Sequence, residues 1–429
     1  MQDAAPRLKG LVEQLLGAPL PLRVRAWDGS EAGPPAAPVL VVRNRRALRR
    51  LLWKPGELGL ARAWVSGDLG VEGDLYTALD LISGLVWERP EDARGFGAAL
   101  RDPEVRAAAR GLVRMARLPL PPAPPAEEVR RRRHLHTRRS DRSAISHHYD
   151  VGNDFYEIVL GPSMVYSCAY WEEGGTLEEA QRDKLELVAR KLALKPGRRL
   201  LDVGCGWGSM AIHAAREHGT TVVGVTLSQE QAAYARKRVA EEGLTDRVEI
   251  RVQDYRDVTD GPYDAISSIG MAEHVGAERY LEYAEVLNSL LKPGGRLLNH
   301  QIARRPQRDE SSYAVDPFID AYVFPDGELA PVGTTVTQLE RAGFEVRDVE
   351  ALREHYALTL RRWVANLEAG WSRAVRLSGV GRARVWRLYM AASAVAFERN
   401  QIGVNQVLAI KTPDRTGSSG MPLRARTWN

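Results

Sequence analysis

The run Leu200-Leu201-Asp202-Val203-Gly204-Cys205-Gly206-Trp207-Gly208 constrains this chain more than any other. It reads as an apolar strand that ends on an acid, turns through three alternate glycines, and enters a helix. Glycine at such positions lets the backbone turn tightly and approach a ligand with no Cβ in the way. Strands are expected at Arg199–Val203, Thr221–Thr226, Val248–Gln253, Tyr263–Ile269 and Gly295–His300. Helices are expected between them at Leu177–Leu192, Ser209–His218, Ser228–Glu242 and Glu278–Leu291, the third opening on Ser228 as its cap. Strand and helix in alternation imply an α/β fold with a doubly wound, mostly parallel sheet. In such sheets ligands sit beyond the carboxyl ends of the strands, where the glycine turn lies.

The chain has 429 residues, which suits two domains. Residues 1–118 read as a smaller mixed α/β domain for lipid binding or dimerisation, with strands at Leu20–Trp27 and Pro38–Arg43 and helices at Ala47–Leu52 and Leu75–Val86. Residues 119–139 form a linker with prolines at 119, 121, 122, 124 and 125, followed by the basic block Arg130–Arg139. The catalytic domain is expected over 140–413, and a disordered tail over 414–429. The net charge of +5, with arginine dominant, is compatible with an anionic partner such as phospholipid headgroups. Nucleic acid is not expected, because no aromatic residues interleave with the arginines of the block. Cys168 and Cys205, the two cysteines, cannot build a disulfide framework or a zinc cluster, and no metal site is expected. No apolar run is long enough to span a membrane, and the first residues lack a signal-peptide pattern, so a cytoplasmic location is expected.

The third glycine follows the second one residue sooner than in the dinucleotide fingerprint, and Asp202 stands just before the first. This combination resembles motif I of class I S-adenosylmethionine methyltransferases, whose fold is Rossmann-like. The resemblance implies that Gly204, Gly206 and Gly208 pass beneath the methionine part of the cofactor, while Asp202 orients water or the amino group. At the end of the second strand, Thr226, Ser228 and Gln231 take the place of the carboxylate usual for the ribose diol. Gln253, Asp254 and Tyr255 end the third strand, where the adenine amine would be met.

Further segments match one branch in order: Ser146–Tyr156, Tyr166-Ser167-Cys168-Ala169-Tyr170-Trp171, Ile269–Gly276, Asn299–Ile302, Phe324–Gly327, His355–Trp363 and Val404-Asn405-Gln406. Together, over roughly 140–412, they resemble the cyclopropane-fatty-acyl-phospholipid synthase family. The resemblance implies methyl transfer to the cis double bond of an acyl chain, with Tyr166 and Ser167 added to the cofactor site. It further implies a bound bicarbonate as general base, held by Cys168, Glu273, His300, Tyr356 and the backbone of Ile302. Taken singly, these side chains also read as ordinary core residues, and His274 is a less certain neighbour. Acyl-tunnel walls would come from Gln301–Thr334 and His355–Asn405, with Tyr313, Phe318, Tyr322, Phe324, Trp363, Trp371, Trp386, Tyr389 and Phe397 as aromatic candidates, most of them core.

The family's cation has two exits, a cyclopropane ring or, after a hydride shift, an exocyclic methylene. Ala272 replaces the phenylalanine usual before Glu-His-Val, and Asn299 and Gln301 flank His300. These departures, read as lying near the base, favour the branch that makes 10-methylene precursors of 10-methyl fatty acids. That product would need a separate reductase, since no flavin or nicotinamide motif is present. Unsaturated phospholipid at the inner face of the membrane is the expected partner, and a homodimer is expected by analogy. The competing readings are a basic nucleic-acid-binding protein on a degenerate fold and a small-molecule methyltransferase.

Overall fold

The computed structural model describes residues 3–86, 102–117, 120–129, 151–325, 327–413, 418–423 and 426. The basic block Arg130–Arg139, the motif residues Ser146–Asp150 and Asp326 lie outside the described residues. The chain divides into two compact units. The first comprises Met1–Arg131, Asp316–Val323 and Ser378–Val395; the second comprises Arg132–Val315, Phe324–Leu377 and Ala396–Asn429. Two segments inside the expected 140–413 domain thus group with the N-terminal unit.

The first unit holds strands β1 (Arg23–Arg25), β2 (Glu31–Ala32), β3 (Val39–Val42) and β4 (Leu69–Glu72) in the order β2-β1-β3-β4. β1 and β3 are parallel; the other pairs are antiparallel. The expected strand Leu20–Trp27 shortens to β1, because β2 offers only a two-residue ladder. Helices Ala4–Leu16, Arg46–Trp53 and Pro103–Ala116 contribute Leu8, Leu48 and Leu112 to its core. The two late segments are held by polar contacts. Glu128 accepts from Arg62 at 2.7 Å and from Tyr322 Oη at 2.9 Å. Trp64 Nε1 donates to the Arg384 carbonyl at 3.0 Å, and Arg384 returns a bond to the Trp64 carbonyl. Phe318, Tyr322, Trp386 and Tyr389 therefore belong to this unit's packing.

The second unit is a seven-stranded sheet. Its strands are β5 (Arg199–Val203), β6 (Thr221–Thr226), β7 (Val248–Val252), β8 (Tyr263–Ile269), β9 (Leu291–Arg304), β10 (Phe344–Ala351) and β11 (Ile402–Lys411). The order is β10-β11-β9-β8-β5-β6-β7, parallel except for β11, which runs antiparallel to both neighbours. The central strands are apolar on both faces because helices cover both. Leu200, Val222 and Leu298 face one buried cluster, and Leu201, Val223 and Leu297 face the other. β9 outruns the expected Gly295–His300 because it is paired on both sides, with β8 and β11.

Helix ends follow local chemistry. A capping box between Thr176 and Glu179 opens helix Leu177–Lys191. Ser228 caps helix Gln229–Glu241, its side chain accepting from Gln231 N. Helix Tyr280–Ser289 starts later than expected because Ala277–Arg279 is a 3-10 turn. The chain winds one way through β5, β6 and β7 and the other way through β8 and β9, so the switch point lies between β5 and β8. Part of the tail that was expected to be disordered makes contacts: Ser419 accepts from Arg347, and Arg426 pairs with Asp348 at 3.0 Å. Among the described residues no helix is long and apolar enough to cross a membrane.

Asp68, 1% exposed, accepts from Arg50 at 3.0 Å and from Asn44 at 2.8 Å. Removing one partner of a buried pair strands the other charge. Asp68→Ala is therefore expected to cost about 3 kcal/mol, measured by chemical denaturation.

Candidate active site

The glycine turn leaves β5 with φ of +74° at Gly204, +52° at Gly206 and +81° at Gly208. The amides of Gly204 and Cys205 both donate to the Val225 carbonyl of β6, at 2.9 and 3.0 Å. A Cβ on Gly204 would stand 3.0 Å from Met271 Cγ, and one on Gly208 would stand 3.1 Å from Ala235 Cβ. Any side chain there would meet strain as well as contact.

Asp202, at the end of β5, is buried. Its Oδ1 accepts from Ser267 Oγ at 2.7 Å, while Oδ2 has no partner. Burial pushes its carboxyl up to about 6, against the pull of Ser267 and Lys184. A buried carboxylate oxygen without a donor, just before a tight glycine turn, fits the ammonium group or water of S-adenosylmethionine. Lys184 comes from helix Leu177–Lys191 and is 1% exposed; its Nζ donates to Ser167 Oγ at 2.9 Å. Burial lowers Lys184 to about 8. Gln181, one turn earlier, donates to the Ser167 carbonyl at 3.0 Å. Ser167 is thus gripped from one helix face, and the half-buried Tyr166 beside it packs at 5.7 Å from Tyr156 and 5.3 Å from Trp363.

The structure brings the residues expected for the ribose together. Thr226 Oγ1 donates to Gln231 Oε1 at 2.9 Å and accepts from Ser228 N, and Ser228 Oγ accepts from Gln231 N. With Oε1 taken up by the Thr226 hydroxyl, Nε2 is the end of the Gln231 amide left to donate. Gln253 is held by its own turn, donating to the Asp257 carbonyl at 2.7 Å. Asp254 caps the turn Tyr255–Asp257 and is gripped by Arg256 through both oxygens, at 2.9 and 2.7 Å. Tyr255 packs edge-on to Tyr283 at 5.6 Å. All of these groups sit at the carboxyl ends of β5, β6 and β7.

The second group clusters around β8, β9 and β11. Glu273 lies in the 3-10 turn after β8, and its Oε1 accepts from Ile302 N at 2.8 Å. Its Oε2 is shut from solvent with no partner, and burial raises the carboxyl to about 7. Across the sheet Ile302 faces Val404, whose carbonyl accepts from Leu352 N at 2.8 Å. The Leu352 carbonyl accepts from Tyr356 N at 3.1 Å and lies 3.6 Å from Cys168 Sγ. Hydrogen bonds thus fix Glu273 on the Ile302 amide, and separately gather Tyr356 N and Cys168 Sγ on the Leu352 carbonyl. Burial pushes the Cys168 thiol well up, so it is a neutral, small wall group. Tyr356 packs on Phe397 at 4.8 Å and Trp363 at 6.0 Å.

His300 is 2% exposed, and its Nε2 has no partner. Its proton can be placed by following the bonds behind it. Lys191 Nζ, a donor only, reaches Gln406 Oε1 at 2.9 Å. The Gln406 amide therefore turns Nε2 toward His300 Nδ1, 3.3 Å away and directly across the β9–β11 ladder. Nδ1 is then an acceptor, and the proton sits on Nε2, aimed away from the ladder. Burial, with Lys184 and Lys191 adding to it, lowers the ring well below the ordinary histidine range and keeps it neutral. His274 is also held neutral by burial, at about 4, and packs edge-on to Phe324 at 5.6 Å.

Two corrections to the sequence reading follow. Asn299 and Gln301 alternate with His300 along β9, so their side chains leave the opposite face. There they join Tyr283, Tyr280 and Thr335, at 2.9, 2.5 and 2.9 Å. Adjacency in sequence to His300 is therefore no argument about the product. The sequence reading also overlooked Lys184, Lys191 and Gln406. Its available signal was cations at 184 and 191 on the buried, apolar face of a helix.

Glu273 and Gln406 supply tests that need no ligand. A carboxyl raised by folding stabilises in full below its unfolded value near 4.5 and loses that contribution as pH rises through about 7. Glu273→Gln should therefore melt higher than the parent at pH 8 and close to it at pH 5, in thermal denaturation. Gln406→Glu places an acceptor opposite Nδ1, and nitrogen NMR of His300 should show the proton moved from Nε2 to Nδ1.

Residues 136–407 match the family described as mycolic acid cyclopropane synthetase. The chain is 47% identical over 416 residues, 94% of each chain, to a probable fatty acid methyltransferase, Rv3720, of Mycobacterium tuberculosis. It is 40% identical over 261 residues to the cyclopropane-fatty-acyl-phospholipid synthase of Escherichia coli, covering 61% of this chain and 66% of that protein. Mycolic acid cyclopropane synthase CmaA1 in complex with SAH and CTAB superposes with a TM-score of 0.60 at 33% identity, covering 63% of this chain and 98% of that one. With the cradle, the seven-stranded sheet and these matches in agreement, the chain belongs to the mycolic acid cyclopropane synthetase family of S-adenosylmethionine-dependent lipid methyltransferases.

Proposed function

We propose that this enzyme methylates the cis double bond of an oleoyl-type acyl chain in an unsaturated phospholipid and releases a 10-methylene acyl chain. The observation that carries this reading is two buried, unpartnered atoms: Glu273 Oε2 in the turn after β8, and His300 Nε2 on β9 beside Ile269, the last residue of β8. S-adenosylmethionine supplies an electrophilic methyl group when bound in the cradle of Asp202, Gly204, Gly206 and Gly208. The alkene's π electrons would form the new carbon–carbon bond to that methyl as its bond to sulfur breaks, leaving S-adenosylhomocysteine as the departing group and positive charge on the neighbouring chain carbon. A hydride shift from the methyl-bearing carbon, then loss of one proton from the methyl, yields the exocyclic methylene. Loss of that proton with ring closure yields a cyclopropane instead. Either route releases one proton and fails if water reaches the cation.

The residues suit that task. Glu273, near 7, exchanges a proton close to neutral pH, and neutral His300 presents an N–H donor. A bicarbonate ion bound here would supply the base; His300 Nε2 would donate to it and Glu273 Oε2 would share its proton. Cys168, Tyr356, Phe397 and Trp363 are buried and keep the surroundings apolar. The fatty acid methyltransferase relative, which spans 94% of this chain, supports methyl transfer to a fatty acid by either route, and the preference for the methylene product rests on Ala272 in place of the phenylalanine usual before Glu273. The cyclopropane product is the second reading, favoured by the family's description and by the E. coli relative. The proposal includes work on phospholipid at the inner membrane face, aided by the net charge of +5, as a homodimer that passes the methylene chain to a separate reductase.

Mass spectrometry and proton NMR of fatty acids from cells expressing the chain on an oleate-rich background should show exocyclic methylene signals. Cyclopropyl signals would establish the second reading, and unmodified oleate would overturn both. Glu273→Gln and His300→Ala should each lower turnover about a hundredfold or more while S-adenosylmethionine binding, by calorimetry, persists. Full turnover in both would remove the assigned roles.

A further inference from the structure

A second cluster lies on the helices behind the sheet. Glu186, in helix Leu177–Lys191, directs Oε2 at two histidines of helix Ser209–His218. His213 Nε2 is 3.2 Å from that oxygen and His218 Nε2 is 2.9 Å from it. The three atoms lie within 4.8 Å of one another, and the two rings are 5.7 Å apart between centroids. Arg190 Nε donates to the other oxygen, Oε1, at 2.7 Å.

We propose that Glu186, His213 and His218 form a binding site for a divalent transition ion of the zinc class, with water as the fourth ligand. Ligands about 2.0 Å from a tetrahedral ion are about 3.3 Å from each other. The two oxygen–nitrogen separations are already close to that value, so binding needs mainly rotation of the His218 ring. Two imidazoles and one carboxylate are a borderline donor set that suits zinc, cobalt and nickel over calcium or magnesium. His218 is the last residue of its helix, where unpaired carbonyls favour a cation. His218 and His213 are partly exposed and buried respectively, so an ion can enter while one ligand stays fixed.

The position argues for a structural ion. Helix Ser209–His218 opens on the glycine turn and its 10 residues carry His218 about 15 Å back along the sheet. The ion would clip that helix to Leu177–Lys191, the helix that carries Lys184 and Lys191, without touching the reacting groups.

The test titrates the metal-stripped full chain with zinc by calorimetry and with cobalt by visible absorption. The expected result is one ion per chain, tetrahedral cobalt bands, and a raised melting temperature with zinc. His213→Ala and His218→Ala should each weaken zinc binding about a hundredfold. Glu186→Gln keeps hydrogen bonds to the histidines and should fold, yet still lose the ion. No zinc binding by the parent, or binding and a melting shift unchanged in Glu186→Gln and His218→Ala, would overturn the proposal.

Discussion

The Lys191 ammonium is the contact on which the catalytic end of the sheet depends. It is fully buried at the end of helix Leu177–Lys191, and burial depresses its pKa against the pull of Glu350. It bonds Glu350 and lies 3.7 Å from Asp348, both on β10, and it reaches Gln406 on β11. Its carbonyl accepts from Arg296 of β9 at 2.9 Å. One residue therefore ties a helix to three adjacent strands. Because an ammonium can only donate, it also dictates which way the Gln406 amide turns, and through it the tautomer of His300. A fully buried lysine is costly unless its partners are in place, so this arrangement specifies geometry as well as holding it.

The same helix supports the cofactor side. Lys184 lies two turns before Lys191 on the buried face and holds Ser167. Its charge acts on Asp202, Cys168 and His300. Both halves of the site thus sense one helix. The two faces of β9 divide the remaining work. His300 and Ile302 serve the site, while Asn299 and Gln301 build a polar network with Tyr280 and Tyr283 in the opposite core. The Glu273 carboxylate is felt at both tyrosines, so this network borders the base without containing it.

The parallel half of the fold was legible because its strands are short apolar runs with helices of clear period between them. The glycine turn and Ser228 cap are local signals and lie where the sequence placed them. β10 and β11 were not legible: Phe344–Ala351 is largely half-buried and charged, and its strand character comes from pairing with β11. The grouping of Ser378–Val395 with the N-terminal unit was also hidden, since it rests on contacts such as Trp64 with Arg384 that join distant residues. Cys168, Glu273, Ile302 and Tyr356 were singled out by motif order, whereas the bonds that hold Glu273 on Ile302 and set Tyr356 and Cys168 at the Leu352 carbonyl come only from the fold. The departures at Asn299 and Gln301 misled, because position along a strand says nothing of distance until its faces are assigned.

The near-contact between Gly204 and Met271 sets a limit on change. Met271 begins the turn that carries Glu273, so the floor of the cofactor cradle and the support of the base share one thin wall. A side chain added at Gly204 would press on Met271 and so on the turn that holds Glu273, so the cradle cannot be reshaped at this point without also moving the proposed base.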